Sequence, residues 1–285
     1  MSDIKIMVDS SADIPQEIIE KYNIGVIPLM SVFGEKSYVI GKELSTEKFY
    51  EKLSSGDVIP TTSLTPYATL YEMLLEESKK HETVIYFSIS SKASGQNHSA
   101  NLVREDILEN GNPNADIRII DTMSFSMLIG TAAINAAIEA GEGKSPDEII
   151  EKAKSSIANW HVLFVVDDLM YLERGGRLRK SAAILGSLLD IKPVLTVNDG
   201  LIEVETKLRG KKKICKKLCD LMDENDDRDE NSSEILILHT DEEKAAEMTD
   251  ELEDRYNLNA KSYLIGPLIG THTGTGIVAV AYRTK

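Results

Sequence analysis

Over roughly the first 160 residues, short β-rich runs alternate with longer stretches of helical periodicity, and few folds allow this. Ile4, Ile6 and Val8 open the first run. Others follow at 24–33, at 83–90 (Val84, Ile85, Phe87, Ile89) and at 117–120. Between them the spacing predicts helices over 15–22, 45–53, 67–80, 96–109, 124–140 and 146–158. Asp13 is a candidate N-cap for the first helix, and Pro15 suits its first turn. Ser45 is placed to cap the second. Ser145-Pro146-Asp147-Glu148 reads as a capping box with proline at the first helical position. The segment 60–66, bounded by two prolines, reads as a loop. Strands and helices in this order predict a parallel sheet covered on both faces.

The pattern then changes. A strand is predicted at 161–166, a turn at Gly175-Gly176 and a short helix at 181–188. Runs at 191–197 and 201–207 flank Asn198-Asp199-Gly200, a hairpin signal. A helix at 211–222, a polar loop at 223–234, strands at 235–239, 261–265 and 277–282, and a helix at 241–256 complete a mixed sheet. The fold class is therefore two α/β domains, an N-terminal parallel sheet flanked by helices (1–160) and a C-terminal mixed sheet with helices (161–285). Exchange of segments between them is left open.

Charge narrows the partners. Lysines and arginines number 32 against 47 aspartates and glutamates, a formal charge of −15. A field of that sign opposes wrapping nucleic acid or docking on an anionic membrane. No uninterrupted apolar run reaches the ~18 residues of a spanning helix, and Met1 to Asp9 lacks the basic-then-apolar order of an export signal. The expected location is the cytoplasm, without stable membrane insertion.

Three polar loops stand beside predicted strands, where α/β folds build ligand sites. They are Thr61-Thr62-Ser63, Ser90-Ser91-Lys92-Ala93-Ser94-Gly95, and the glycine- and threonine-rich run 266–276 that contains His272. Hydroxyls, an imidazole and backbone N–H groups suit a carboxylate or phosphate. Turn formation and helix capping account equally well for any single loop. Ser94 with His272 also invites a serine-nucleophile reading, with Asp9 or Asp121 as the orienting acid. No Gly-x-Ser-x-Gly elbow surrounds Ser94. The five histidines are scattered without paired-ligand spacing, so no metal site is expected. Cys215 and Cys219, four apart, fall on one helix face and read as small core residues. The run Gly210-Lys211-Lys212-Lys213 with Lys216-Lys217 reads as a solvated basic face, open to an acidic partner. No Walker motif is present.

These loops, in this order behind Val8-Asp9-Ser10-Ser11-Ala12-Asp13, resemble the DegV family of bacterial proteins. The likeness continues through Val26-Ile27-Pro28-Leu29, Phe49-Tyr50, Asp167-Asp168-Leu169-Met170-Tyr171-Leu172, Gly175-Gly176-Arg177, Ile191-Lys192-Pro193, Lys207-Leu208-Arg209-Gly210 and His272-Thr273-Gly274. The chain departs from the usual pattern at Leu64-Thr65, where Gln-Pro is commoner, and at Gln96, where Thr is usual. The resemblance implies a two-domain protein, not itself an enzyme, that binds one long-chain fatty acid and needs no cofactor. The acid's carboxylate would lie near the domain junction and its tail in an apolar sleeve. A separate fatty-acid kinase would then convert the presented carboxylate to an acyl-phosphate. By motif, Thr62 and Ser94, with Gly95 beside it, would meet the carboxylate. His272 would lie close by, Arg177 would add positive charge, and Arg209 would meet the kinase. Apolar stock for the sleeve is available at 182–189, 191–197 and 264–269, which serve equally well as ordinary core. Two other readings remain, a stand-alone acyl hydrolase or transferase using Ser94 and His272, and a lipid transport protein without a kinase.

Overall fold

A computed structural model of the chain describes residues 3–56, 58–179, 191–210, 213–229, 232–258 and 260–285. The chain forms two compact units. The first comprises Met1–Phe49, Pro60–Ala158 and Gly266–Ile269. The second comprises Tyr50–Ile59, Asn159–Ile265 and Gly270–Lys285.

The first unit runs β1 (Ile4–Asp9), α1 (Gln16–Lys21), β2 (Gly25–Ile27), β3 (Met30–Phe33), β4 (Lys36–Val39), α2 (Thr46–Ser54, of which 46–49 belong here), β5 (Thr61–Ser63), α3 (Tyr67–Lys80), β6 (Thr83–Ser88), α4 (Gln96–Asp106), β7 (Asp116–Asp121), α5 (Met127–Gly141) and α6 (Pro146–Ala158). Four strands make the expected all-parallel sheet in the order β2-β1-β6-β7. Every residue of β6 is buried, as a central strand covered on both faces requires. Met7, Leu70, Leu74, Tyr86, Val103 and Ile107 pack together as the core under α3 and α4. α5 is buried along most of its length because its alanines and Gly130 let the backbone approach β1 closely.

The run predicted at 24–33 is two strands in different sheets. β3 leaves the parallel sheet and pairs antiparallel with β4 and β5 in a small second sheet. The loop expected at 60–66 is thereby corrected in part: Thr61–Ser63 is a strand, paired with β3. The helix expected to reach 109 remains α-helical only to Asp106, and a five-residue π-turn (Ile107–Gly111) follows.

Asp13 is also corrected. It makes no cap for α1, whose N-cap position is Pro15. It adopts φ 52° and hydrogen-bonds Ser126 instead. The capping box is present: Ser145 N–H donates to Glu148 Oε2 at 2.9 Å, and Ser145 Oγ accepts from Glu148 N–H at 3.3 Å. Ser145→Ala is therefore expected to cost about 1 kcal/mol in urea unfolding, because it removes the Oγ that accepts from Glu148 N–H while leaving the backbone N–H bond to Glu148 in place.

The second unit runs β8 (Trp160–Val165), α7 (Met170–Gly175), β9 (Ile191–Asn198), β10 (Leu201–Arg209), α8 (Ile214–Asp223), β11 (Ile235–His239), α9 (Glu242–Tyr256), β12 (Lys261–Leu264), α10 (Pro267–Thr273, of which 270–273 belong here) and β13 (Val278–Arg283). Its mixed sheet has the order β10-β9-β8-β13-β11-β12. The β9–β10 hairpin turns on Asp199 and Gly200, both at positive φ, as the two-residue turn demands. Cys215 and Cys219 are buried on one face of α8, beside Met248 and Leu252, and burial pushes both thiols up to about 12. Residues 181–188, expected as a helix, lie outside the described residues. The turn expected at Gly175-Gly176 is the end of α7, with Gly176 as its left-handed C-cap.

Candidate functional site

Two of the hydroxyl loops come together within the first unit. Thr62, half-buried on β5, stands opposite Ser31 of β3, so the two side chains share a face of the small sheet. Ser31 is fully buried, and its Oγ has no hydrogen-bond partner among the described residues. Nothing in the sequence singles it out.

Ser94 sits where the chain leaves β6 and enters α4. The 90–94 turn is closed locally: Ser94 N–H and Ala93 N–H both donate to the Ser90 carbonyl, at 3.0 and 3.1 Å. Ser91 N–H is held by Asp121 Oδ1 at 3.1 Å. Ser94 Oγ accepts from Gln96 N–H at 3.3 Å. A hydroxyl that accepts one hydrogen bond still has its O–H to give, and an ionised carboxylate takes up donors only.

The two loops abut. The Cβ that an alanine at Gly95 would carry lies 3.4 Å from Leu64 Cδ1. Thr65 N–H donates to Gln96 Oε1 at 3.3 Å, and Thr65 Oγ1 donates to the Pro28 carbonyl at 2.8 Å. Gly95 itself is exposed at the start of α4, the end of a helix where anions are favoured.

Asp9 holds the floor of this arrangement. It is fully buried at the end of β1 and accepts from Ile89 N–H at 2.8 Å, Ser11 N–H at 3.0 Å and Tyr86 Oη at 3.1 Å, and also from Ser11 Oγ. Burial raises its pKa, and these four donors oppose the rise. Asp121, the other acid considered for a triad, likewise accepts backbone N–H groups, from Ser91 and Met123. Both carboxylates shape turns of the first unit.

His272 and Arg177 come together within the second unit. The run 266–276, expected as a loop, contains α10, and His272 lies in its last turn. Its ring packs so closely on Gly175 that a Cβ there would overlap Nδ1. Burial, and then the Arg177 charge, lower the His272 pKa to about 4. The imidazole is thus neutral at pH 7, and the positive charge beside it belongs to Arg177, which donates to the Gly175 carbonyl. Arg209 is separate, exposed at the end of β10. Its carbonyl accepts from Lys217 Nζ, and Lys207, Lys213 and Lys216 are exposed nearby in sequence. Of the sleeve segments, 182–189 lies outside the described residues. In 191–197, Val194 and Leu195 are fully buried, and in 264–269, Ile265 and Leu268 are buried.

Among the described residues, no group of three or more histidines, cysteines or carboxylates could hold a metal ion, and no helix is long and apolar enough to cross a membrane.

A family model described as an uncharacterised protein of the DegV family matches residues 3–285. A DegV domain-containing protein of Caldanaerobacter subterraneus subsp. tengcongensis is 34% identical over 292 residues, covering 100% of both chains. The solved structure of DegV from Bacillus subtilis, described as a fatty acid binding protein, is similar with a TM-score of 0.85 at 32% identity, covering 100% of each chain. That of a fatty acid binding DegV family protein from Streptococcus agalactiae gives 0.86 at 30% identity, again over 100% of each chain.

Proposed function

Because the chain belongs to the DegV family, we propose that it binds one long-chain fatty acid and presents the carboxylate to a separate fatty-acid kinase. The observation that carries this reading is the pair of abutting hydroxyl loops. The segments carrying Thr62 and Ser94 meet where Thr65 N–H donates to Gln96 Oε1 and Leu64 lies beside Gly95, and Ser94 Oγ, while accepting from Gln96 N–H, still has its O–H to give to an anion. The fatty-acid binding described for the Bacillus subtilis and Streptococcus agalactiae relatives supports the same ligand class.

The physics of such a ligand divides cleanly. Each buried CH₂ contributes about 0.8 kcal/mol, so a sixteen-carbon tail offers roughly 12 kcal/mol before ordering costs. Affinity then comes from the tail. The head contacts orient the acid and keep it ionised, since a bare carboxylate taken from water would be costly. In this reading Thr62 and Ser94 of the first unit supply the donors. Arg209, exposed on a basic strip of an otherwise acidic protein, is assigned to the kinase surface. The chain itself carries no phosphoryl-transfer step in this reading.

A hydrolase using Ser94 and His272 is disfavoured by chemistry. A base with a pKa of about 4 beside a guanidinium takes a serine proton poorly. A carrier without a kinase differs only in its partner, and a pull-down with the host's kinase, parent against Arg209→Ala, separates the two.

The direct test is lipid extraction. Protein purified from a bacterial host, denatured and analysed by mass spectrometry, is expected to release fatty acid at close to one molecule per chain. Lipid-free protein that also takes up no added palmitate would overturn the proposal.

A further inference from the structure

We propose that Gln96 is a positioning residue for the head group: its buried side chain sets the spacing of the Thr62 and Ser94 loops, and so how well their hydroxyls converge on a carboxylate. The inference rests on the fatty-acid reading above and deepens it.

Gln96 is the first residue of α4 and is 0% exposed. Glutamine at a helix start ordinarily points to water. Here its two ends join two loops. The side-chain Oε1 accepts the Thr65 N–H at 3.3 Å, and the backbone N–H donates to Ser94 Oγ at 3.3 Å. Thr65 is 2% exposed, so water cannot replace Gln96 as the acceptor of that N–H.

The tethers are short. Thr65 follows Thr62 by three positions, and its own hydroxyl is fixed on the Pro28 carbonyl at 2.8 Å. Ser94 precedes Gln96 by two. Leu64 lies beside Gly95, its Cδ1 3.4 Å from where a Cβ at that position would stand. On the inner side, the Gln96 amide stands beside the Tyr86 hydroxyl, which donates to the buried Asp9 at 3.1 Å. That wall is rigid, since Asp9 is held by four donors. A change in the length or polarity of residue 96 is therefore passed on to the gap between the two hydroxyls.

The test compares two ligands with one tail and different heads, palmitate and hexadecanol, titrated calorimetrically into delipidated protein. In Gln96→Met, which keeps the length and removes the acceptor, palmitate affinity is expected to fall about tenfold, with hexadecanol affinity unchanged. Equal weakening of both ligands would mean Gln96 only supports the fold, and undiminished palmitate binding would mean it does nothing for the head group. Either result overturns the inference while leaving the fatty-acid reading intact. A parent protein that binds neither ligand removes that reading, and the inference with it. Should Gln96→Met fail to fold, Gln96→Asn, an amide one methylene shorter, is expected to show the same selective loss and is judged by the same outcomes.

Discussion

With Thr62→Val and Ser94→Ala introduced together, palmitate affinity is expected to fall by at least about a hundredfold. A hydrogen bond to a charged group contributes about 1.5–3 kcal/mol, so two such bonds acting together come to about 3–6 kcal/mol, above the ~2.7 kcal/mol that a hundredfold represents. Valine keeps the shape and β-branching of threonine, so β5 retains its pairing with β3. Alanine at 94 additionally releases the Gln96 N–H from Ser94 Oγ, which costs about 1 kcal/mol of stability at the start of α4. The loss in affinity is larger than that and is specific to the head. Hexadecanol, which has nothing to ionise, should bind the double variant nearly as well as it binds the parent. Native mass spectrometry gives the occupancy and calorimetry the affinity. A double variant that purifies with the parent's complement of fatty acid would show that these hydroxyls do not hold the acid end, whatever else the chain binds.

The sequence discloses this site unevenly, and the reasons are physical. The parallel sheet is legible because its strands are buried on both faces and read as continuous apolar runs, as in Val84 to Phe87. The capping box at Ser145 is legible because both of its partners lie within four residues. β5 is not. Three residues between prolines are too short for any alternation, and Thr61–Ser63 becomes a strand only because β3 arrives to pair with it. α10 is hidden by its own composition, since Gly270, Thr271 and Thr273 are weak helix formers and tertiary packing holds them. Asp13 looks like a cap because aspartate before a helix commonly is one. What overrides that rule is Ser126, more than a hundred residues away, and no local pattern contains it. Ser31 escapes for the same reason, since a serine in a strand is ordinary until the partner strand is in place. Gln96 registers in the sequence only as a departure from the family pattern, with no hint of its bond to Thr65. Thr62 and Ser94 stand out only through a family resemblance carried by many motifs at once, whereas the loops taken singly say no more than turn and cap.

Asp13 yields the second large expectation, a stability that falls as pH rises through the neutral range. Its carboxyl is fully buried, 2.5 Å from Ser126 Oγ. Gly266 is so close that any Cβ there would overlap Oδ1. Burial is the largest influence and lifts the pKa from 3.8 to about 7; the Ser126 hydrogen bond and the nearby Gly266 backbone N–H oppose it, and the nearby Asp9 adds to it. Between those two values the folded chain holds a proton that the unfolded chain has lost. The contribution of this proton is complete below about pH 3.8 and is lost by the time the pH has passed about 7. From pH 5 to pH 8 the loss comes to about 2 to 3 kcal/mol, at about 1.4 kcal/mol per unit of the window that falls in this range. The natural comparison is Asp13→Asn. The amide cannot ionise, it retains an acceptor and a donor for Ser126, and asparagine tolerates the left-handed φ of 52° that this position requires. Urea unfolding followed by circular dichroism at both pH values gives the stability of each chain, and groups common to both cancel in the difference. The parent should lose about 2 to 3 kcal/mol relative to Asp13→Asn between pH 5 and pH 8. A difference that stays flat across that range would mean Asp13 is ionised throughout, with its charge met by donors stronger than Ser126 and Gly266.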